Sequence, residues 1–328
     1  MLSKVATAVY DVAIIGGGPA GLAAALALSR AHRRGVVFDS GKYGNERATH
    51  AHTIIGFDGK PPAEIRATAW RDINAYGYME KVERQIERVE NLSSTAEANG
   101  ETLFDIDGQW KARKLIIATG ARPILPDIPG FAGAWGYKIF TCAFCHGHEF
   151  SNQRGAIFGP GSLGPGKMFT NITKDLTVLL NAEPVPEPMQ PLLRQLSAMT
   201  TAAKPAVISN RVSRIDLASP TAQKVKVHFA DEGVQPQEFD FIAYAPRTQA
   251  IFDAIADLGL EAADNGDIKT LSIIGNTNVV GVFAAGDSAV MMKGVPMAMA
   301  TGTGAGAFAA HALVDEDLQR AVAQEAKI

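Results

Sequence analysis

The feature that most constrains this chain is an apolar run that breaks into glycines. Val12-Ala13-Ile14-Ile15 is followed by Gly16-Gly17-Gly18-Pro19-Ala20-Gly21 and then by an Ala- and Leu-rich stretch from Leu22 to Arg30. A short apolar run without polar alternation fits a strand buried on both faces. The glycines have separate duties. The first permits a tight turn, the second lets a pyrophosphate approach the backbone, and the third lets helix and strand pack closely. An anion held there lies at the positive end of the helix. Gly35-Val36-Val37-Phe38-Asp39 reads as the next strand. It ends in an acid about 20 residues on, where a carboxylate can bind a ribose hydroxyl. Strand, glycine loop, helix and acid together specify a βαβ unit that binds a dinucleotide. The stretch from Ala8 to Leu28 is apolar enough to suggest a membrane span, but Asp11 and the glycines fit the strand-turn-helix better.

Further buried strands are expected at Leu115 to Gly120, Phe241 to Ala245 and Val282 to Asp287. Ala156-Ile157-Phe158-Gly159 enters a second glycine cluster, Gly159 to Gly166. A helix near Lys167 to Lys174 and a strand at Leu176 to Leu180 would complete a second βαβ unit. Helices are expected over Ala63 to Tyr76, Tyr78 to Arg84 and Met297 to Leu313. Val207 to Ile215 and Lys224 to Phe229 read as strands. Glu183 to Pro191, with Pro184, Pro186, Pro188 and Pro191, reads as a loop. The fold class is α/β, with two Rossmann-like dinucleotide-binding domains.

A chain of 328 residues can bury two cores. Its net charge of −3 gives no footing for nucleic-acid binding or a polybasic membrane anchor. Two cysteines cannot build a disulfide framework, and Met1-Leu2-Ser3-Lys4 lacks the pattern of a signal peptide, so a reducing, cytoplasmic location is expected. Those two cysteines sit together as Cys142-Ala143-Phe144-Cys145, followed by His146-Gly147-His148-Glu149. A C-x-x-C pair can close a disulfide, hold a soft metal, or cycle between dithiol and disulfide. Cys142, Cys145, His146 and His148 are ligand types that zinc accepts, but four ligands packed so closely in sequence are geometrically awkward, and no metal is expected. His146, with an ordinary pKa of about 6.5, suits a base that must cycle. Met291, Met292, Met297 and Met299 read as packing residues.

Two later segments carry a resemblance. Ala118-Thr119-Gly120 resembles the A-T-G segment of two-dinucleotide flavoproteins. Gly281-Val282-Phe283-Ala284-Ala285-Gly286-Asp287 resembles their second FAD signature, whose aspartate binds the ribityl chain. With these segments and the cysteine pair in one order, the whole chain resembles the low-molecular-weight thioredoxin reductase family. The resemblance implies an FAD domain, residues 1–121 and 246–328, split by an inserted NAD(P)-type domain, residues 122–245, that carries the C-x-x-C. It implies FAD contacts from Gly16, Gly18, Pro19, Ala20, Gly21, Asp39, Ser40, Arg47, His50, His52, Ala118, Thr119, Gly120, Gly286, Asp287, Pro296 and Met297.

A narrower resemblance is to the gliotoxin-type dithiol oxidases of natural-product pathways. It rests on Phe38-Asp39-Ser40-Gly41-Lys42-Tyr43, on His50-Ala51-His52, and above all on Cys142 to Glu149. Ordinary thioredoxin reductases carry Asp after the second cysteine, where this chain has His146. His148 departs from the dithiol oxidases, in which a tyrosine is common. The resemblance implies a homodimer that closes a disulfide in a small-molecule dithiol and passes electrons through FAD to oxygen. Cys145 would face the flavin, Cys142 would form the mixed disulfide, and His146 would be the base. His148 and Glu149 are the adjoining candidates, Glu149 more readily as a structural partner. A helix start near Cys142 and a protonated His146 would favour thiolate.

The second glycine loop, Gly159-Pro160-Gly161-Ser162-Leu163-Gly164, also has the dinucleotide spacing. Pro160 and Pro165 remove two backbone donors from it. Leu180-Asn181-Ala182-Glu183 lacks the basic cluster that thioredoxin reductases carry there for the 2′-phosphate, so NADPH binding is expected to be weak or absent. Two other functions remain open on sequence: a protein disulfide reductase fed by NADPH or ferredoxin, and a non-catalytic redox-sensing flavoprotein.

Overall fold

The apolar run Val12-Ala13-Ile14-Ile15 leaves no polar side chain to face water, and the segment lies between two other strands. The computed structural model describes residues 9–98, 100–173, 175–199, 207–251 and 253–325. The chain first forms β1 (Val9–Ile15), α1 (Pro19–Arg30), β2 (Gly35–Phe38), α2 (Pro62–Asn74), β3 (Met79–Val82), β4 (Val89–Asn91), β5 (Phe104–Ile106), β6 (Trp110–Ile117) and β7 (Ala121–Ile124). It continues through α3 (Phe131–Ala134), β8 (Ile139–Phe140), α4 (Ala143–His146), β9 (Gly155–Phe158), α5 (Leu163–Gly166), β10 (Leu176–Leu179) and α6 (Gln190–Met199). Then come β11 (Val207–Ile208), β12 (Val212–Asp216), β13 (Val225–Phe229), β14 (Gln237–Phe239), β15 (Phe241–Ala243), β16 (Arg247–Ala250), β17 (Val282–Ala284) and α7 (Val295–Glu325).

Two compact units result, one of Met1–Glu46, Pro61–Arg122 and Thr248–Ile328, the other of Arg47–Lys60 and Pro123–Arg247. The segment 47–60, read from sequence as part of the first stretch, groups with the unit that carries the cysteines.

In the first unit the parallel strands run β3-β2-β1-β6. Ile14 lies opposite Val37 on one side and Ile116 on the other. β5 and β17 share the far edge of β6: β5 pairs antiparallel with Trp110 to Ala112, and β17 pairs parallel with Leu115 to Ile117. Helix α7 packs on α1 through small residues. A Cβ at Gly302 would run into the Ala20 carbonyl, so glycine is what allows the two backbones to approach. The second unit has a parallel sheet, β11-β10-β9-β15-β8, and an antiparallel one, β12-β13-β14.

Several sequence expectations need correction. Tyr78 to Arg84 is not helical but contains β3, whose Met, Glu and Lys have helical propensity. The open edge of β2 recruits it as a parallel strand, with Val36 opposite Glu80. The helix expected near Lys167 to Lys174 is instead a 3₁₀ segment, Lys167–Asn171, that follows the single turn of α5; Lys174 lies outside the described residues. Val207 to Ile215 is two strands in different sheets. The proline loop gives way at Gln190 to α6, which sequence reading missed because Pro191 is tolerated in a first turn. Helix α7 extends well past Leu313. None of the described helices is long and apolar enough to cross a membrane.

The end of α7 is pinned by charge. Lys114, only 2% exposed, pairs with Glu316, and Arg113 reaches Glu316 at 2.9 Å, Asp317 at 2.8 Å and Asp11 at 3.3 Å. Burial lowers the Lys114 pKa, and Glu316 opposes that. Glu316→Ala would leave a buried ammonium without its anion and should destabilise the fold by about 3 kcal/mol. Lys114→Met combined with Glu316→Ala should recover much of that loss, as read from urea unfolding midpoints.

Candidate functional site

The first unit holds a nucleotide cradle at the carboxyl ends of its parallel strands, where ligands of open α/β sheets bind. Gly16 has φ of +120° and lies so close to β6 that a Cβ would meet the Ala118 carbonyl, so the turn into α1 requires glycine. Gly18 is the N-cap of α1 and Pro19 opens the helix. No side chain caps it, so the N–H groups of Ala20 and Gly21 remain available to an anion. Open space surrounds the position that a Gly18 Cβ would take.

Asp39, 4% exposed, follows β2 and accepts from the Gly41 N–H at 3.0 Å and the Tyr43 hydroxyl at 2.8 Å. Burial and Asp39 push the Tyr43 pKa up to about 12, so Tyr43 remains the donor. Ser40 is exposed beside it. Ala118 joins the loop to β6 through its N–H on Ile15 at 2.9 Å, and the Thr119 hydroxyl donates to Ile251 at 3.1 Å. Gly120 is open above its α-carbon.

On the β17 side, the Gly286 N–H donates to the Thr301 hydroxyl at 3.0 Å, and Asp287 accepts from the Gly294 N–H at 3.3 Å. Burial raises the Asp287 pKa, against Lys293 and Gly294. Pro296 and Met297 lie in the first turn of α7. Sequence reading missed a clamp here. Lys293 Nζ donates to both Asp267 oxygens, at 2.6 and 2.7 Å, and to the Asp287 carbonyl at 2.7 Å. It fixes the loop between Asp287 and α7, and no sequence spacing announces a pair 26 residues apart. The uncapped helix end, the open space at Gly18, the buried Asp39 and the half-buried Asp287 fit FAD.

The second unit holds the cysteines. Cys142 and Cys145 are joined as a disulfide with Cα atoms 5.2 Å apart. Cys142 is the N-cap of α4, and its carbonyl accepts from the N–H of Cys145 at 3.3 Å and of His146 at 3.2 Å. Helix α4 is a single turn, so its dipole gives little help to a thiolate. Phe144, between the cysteines, is 66% exposed.

His146 packs on Phe140, ring centroids 5.0 Å apart, and Phe140 in turn meets Phe150, Phe169 and Phe241. Burial against this aromatic cluster pushes the His146 pKa below the usual histidine value. Glu149 opposes the shift and His52 adds to it. The shift favours the neutral imidazole, which can accept a proton, over the imidazolium near neutral pH. His148 is exposed. Among the described residues no group of three or more His, Cys, Asp or Glu is placed to hold a metal.

The segment 47–60 contributes to this unit. Arg47 donates to the carbonyls of Ala132 at 2.9 Å and Trp135 at 2.8 Å and stacks on Tyr137. His50 is exposed and its Nδ1 lies 3.0 Å from the Thr49 hydroxyl. His52 Nε2 lies 3.1 Å from Glu149 Oε1. These partners are 97 residues apart, and sequence reading did not join them.

The second glycine loop differs from the first. After Gly159 the backbone makes a 3₁₀ turn, Pro160–Ser162, and α5 is one turn long. Ser162 Oγ accepts the Ala245 N–H at 2.9 Å and is spent inside the fold. Beyond β10, Asn181 accepts the Val212 N–H at 2.9 Å and donates to Glu183 at 3.3 Å.

The profile of the pyridine nucleotide-disulphide oxidoreductases matches residues 10–306. A thioredoxin reductase of Claviceps purpurea, tcpT, is 36% identical over 310 residues, covering 93% of this chain and 95% of its own. A thioredoxin reductase of Leptosphaeria maculans, sirT, is 32% identical over 309 residues, covering 91% and 92%. The crystal structure of HlmI superposes with a TM-score of 0.84 at 27% identity and covers 97% of both chains.

Proposed function

We infer that this chain, which belongs to the pyridine nucleotide-disulphide oxidoreductase family, is an FAD-dependent dithiol oxidase that closes a disulfide in a small molecule and uses dioxygen as acceptor. The observation that supports this reading is the Cys142–Cys145 disulfide with His146 next to it, its ring packed on Phe140 where burial lowers the imidazole pKa. Only a thiolate attacks a disulfide, so a group that removes the thiol proton sets the rate near neutral pH.

His146 takes a proton from the first substrate thiol. The substrate thiolate attacks Cys142, the Cys142–Cys145 bond breaks, and its electron pair leaves on Cys145. The second substrate thiol, deprotonated in turn, attacks the substrate sulfur of the mixed disulfide and expels Cys142 as thiolate. The substrate leaves with one new S–S bond, two protons and two electrons poorer. FAD, when bound, would supply the two-electron acceptor for the enzyme dithiol, and with dioxygen as final acceptor the overall products would be disulfide and hydrogen peroxide. Exposed Phe144 offers the apolar contact for a small substrate.

The second nucleotide loop supports the same direction of electron flow. A one-turn helix gives little dipole, Pro160 and Pro165 supply no N–H, and Glu183 stands where a 2′-phosphate would need a cation. Charge-assisted hydrogen bonds are worth about 1.5–3 kcal/mol each, so losing even one weakens NADPH by roughly tenfold or more. Under nitrogen, dithiothreitol should bleach the flavin at least about tenfold faster than equimolar NADPH in stopped-flow absorbance, and admission of air should start oxygen uptake. The names borne by tcpT and sirT favour a second reading, a thioredoxin-type disulfide reductase. Faster bleaching by NADPH would select it.

A further inference from the structure

His52 Nε2 lies 3.1 Å from Glu149 Oε1 and its Nδ1 lies 3.5 Å from Asp58 Oδ2, so one imidazole stands between two carboxylates. The proposed reaction leaves this row without a task. Asp58 is fixed by its own loop: its Oδ1 accepts the Thr53 N–H at 2.7 Å. The loop is closed by Ala51 N–H on the Lys60 carbonyl at 2.8 Å and Gly59 N–H on the Ala51 carbonyl at 2.9 Å. Thr53 has φ of +62°, a left-handed conformation that disfavours a β-branched residue. The loop thus keeps local strain where Asp58 and His52 meet, and such strain clusters at functional sites. The row runs from Glu149, an electrostatic neighbour of His146, to Asp58, whose side chain is 67% exposed.

We propose that His52 is a positioning residue for Glu149 and His146, and that the Glu149–His52–Asp58 row carries to solvent the proton that His146 removes from an incoming thiol. This rests on His146 being the base. The balance is simple. Each substrate thiol gives one proton to His146, and the sulfur electrons go into the disulfide. The imidazolium proton passes by way of water to Glu149, then to His52 Nε2, while the Nδ1 proton leaves on the Asp58 side to water; exchange with water returns His52 to its starting tautomer, and neutral His146 is ready for the second thiol. The titratable groups facing His52 are Glu149, Asp58, His146 and His50, whose ring centroid lies 6.5 Å away.

The two neighbours of His146 have opposite signs, which gives a test that a purely structural role would not satisfy. His146 must be neutral to accept a proton, so the thiol-exchange rate falls below its pKa, and raising that pKa moves the acid limb to higher pH. His52→Gln removes a group that lowers the His146 pKa, so the limb should move up. Glu149→Gln removes one that raises it, so the limb should move down. The measurement is the rate at which dithiothreitol opens the Cys142–Cys145 disulfide in the FAD-loaded full chain under nitrogen, read across pH by quenched thiol labelling. His52→Gln should also slow this step about tenfold near neutral pH. Asp58→Asn, at an exposed carboxylate, should slow the step as His52→Gln does, and circular dichroism verifies the fold of each variant. A wild-type profile without an acid limb, or limbs that move in one direction or not at all, would overturn the proposal. Oxygen uptake measured alongside tests the oxidase reading by itself. Opposite limb shifts without oxygen uptake would remove the oxidase and keep the row.

Discussion

Cys145→Ser should abolish dithiol-driven oxygen uptake, with a fall of at least about 10³-fold in turnover, as removal of a covalent participant does elsewhere. Cys142 and Cys145 are the chain's only cysteines, and they are joined to each other. A serine oxygen cannot form the bond that the substrate thiolate must break, so no other sulfur can take the electron pair. The loss should be chemical and not structural. Cys145 lies on a single-turn helix, while the FAD cradle is built from the other unit, so flavin content should stay near wild type. The remaining Cys142 thiol should still form a mixed disulfide with an aromatic disulfide reagent, visible by mass. Undiminished oxygen uptake by Cys145→Ser would remove the cysteine pair from the reaction.

His146→Gln should slow the opening of the enzyme disulfide by dithiothreitol about 10²–10³-fold at neutral pH. Glutamine keeps polarity but cannot take a proton. The pH profile carries the sharper signature. Burial lowers the His146 pKa, so the wild-type rate should hold as pH falls past the ordinary histidine value of about 6.5 and drop only below the depressed one. In His146→Gln the only thiolate is what the solvent produces, so the rate should climb tenfold per pH unit. The two profiles should converge toward the ordinary thiol pKa of about 8.5. A variant profile parallel to wild type would show that another group is the base.

The parts of this molecule that were legible in sequence are those where a local pattern meets a local demand. Gly16, Gly18 and Gly21 with Asp39 marked the cradle because a tight turn, an open helix end and a ribose acid each need a particular residue at a particular spacing. Cys142 and Cys145 were conspicuous as a close pair. Elements whose state depends on a distant partner were misread. Residues 79–82 have helical propensity and became a strand because β2 offered an edge. The helix expected near residues 167–174 proved to be a 3₁₀ segment, Lys167–Asn171.

The same division runs through the site. The sequence by itself determined the α/β class, the dinucleotide cradle and the redox pair, because backbone conformation and residue chemistry are encoded within a few positions. Only the tertiary structure decided that His146 packs half-buried on Phe140 with its pKa lowered, that residues 47–60 pack with the cysteine unit, and that His52 stands between Glu149 and Asp58. Desolvation and charge pairing depend on what the fold brings within a few ångströms, and residues 97 positions apart carry no mark of that proximity in sequence.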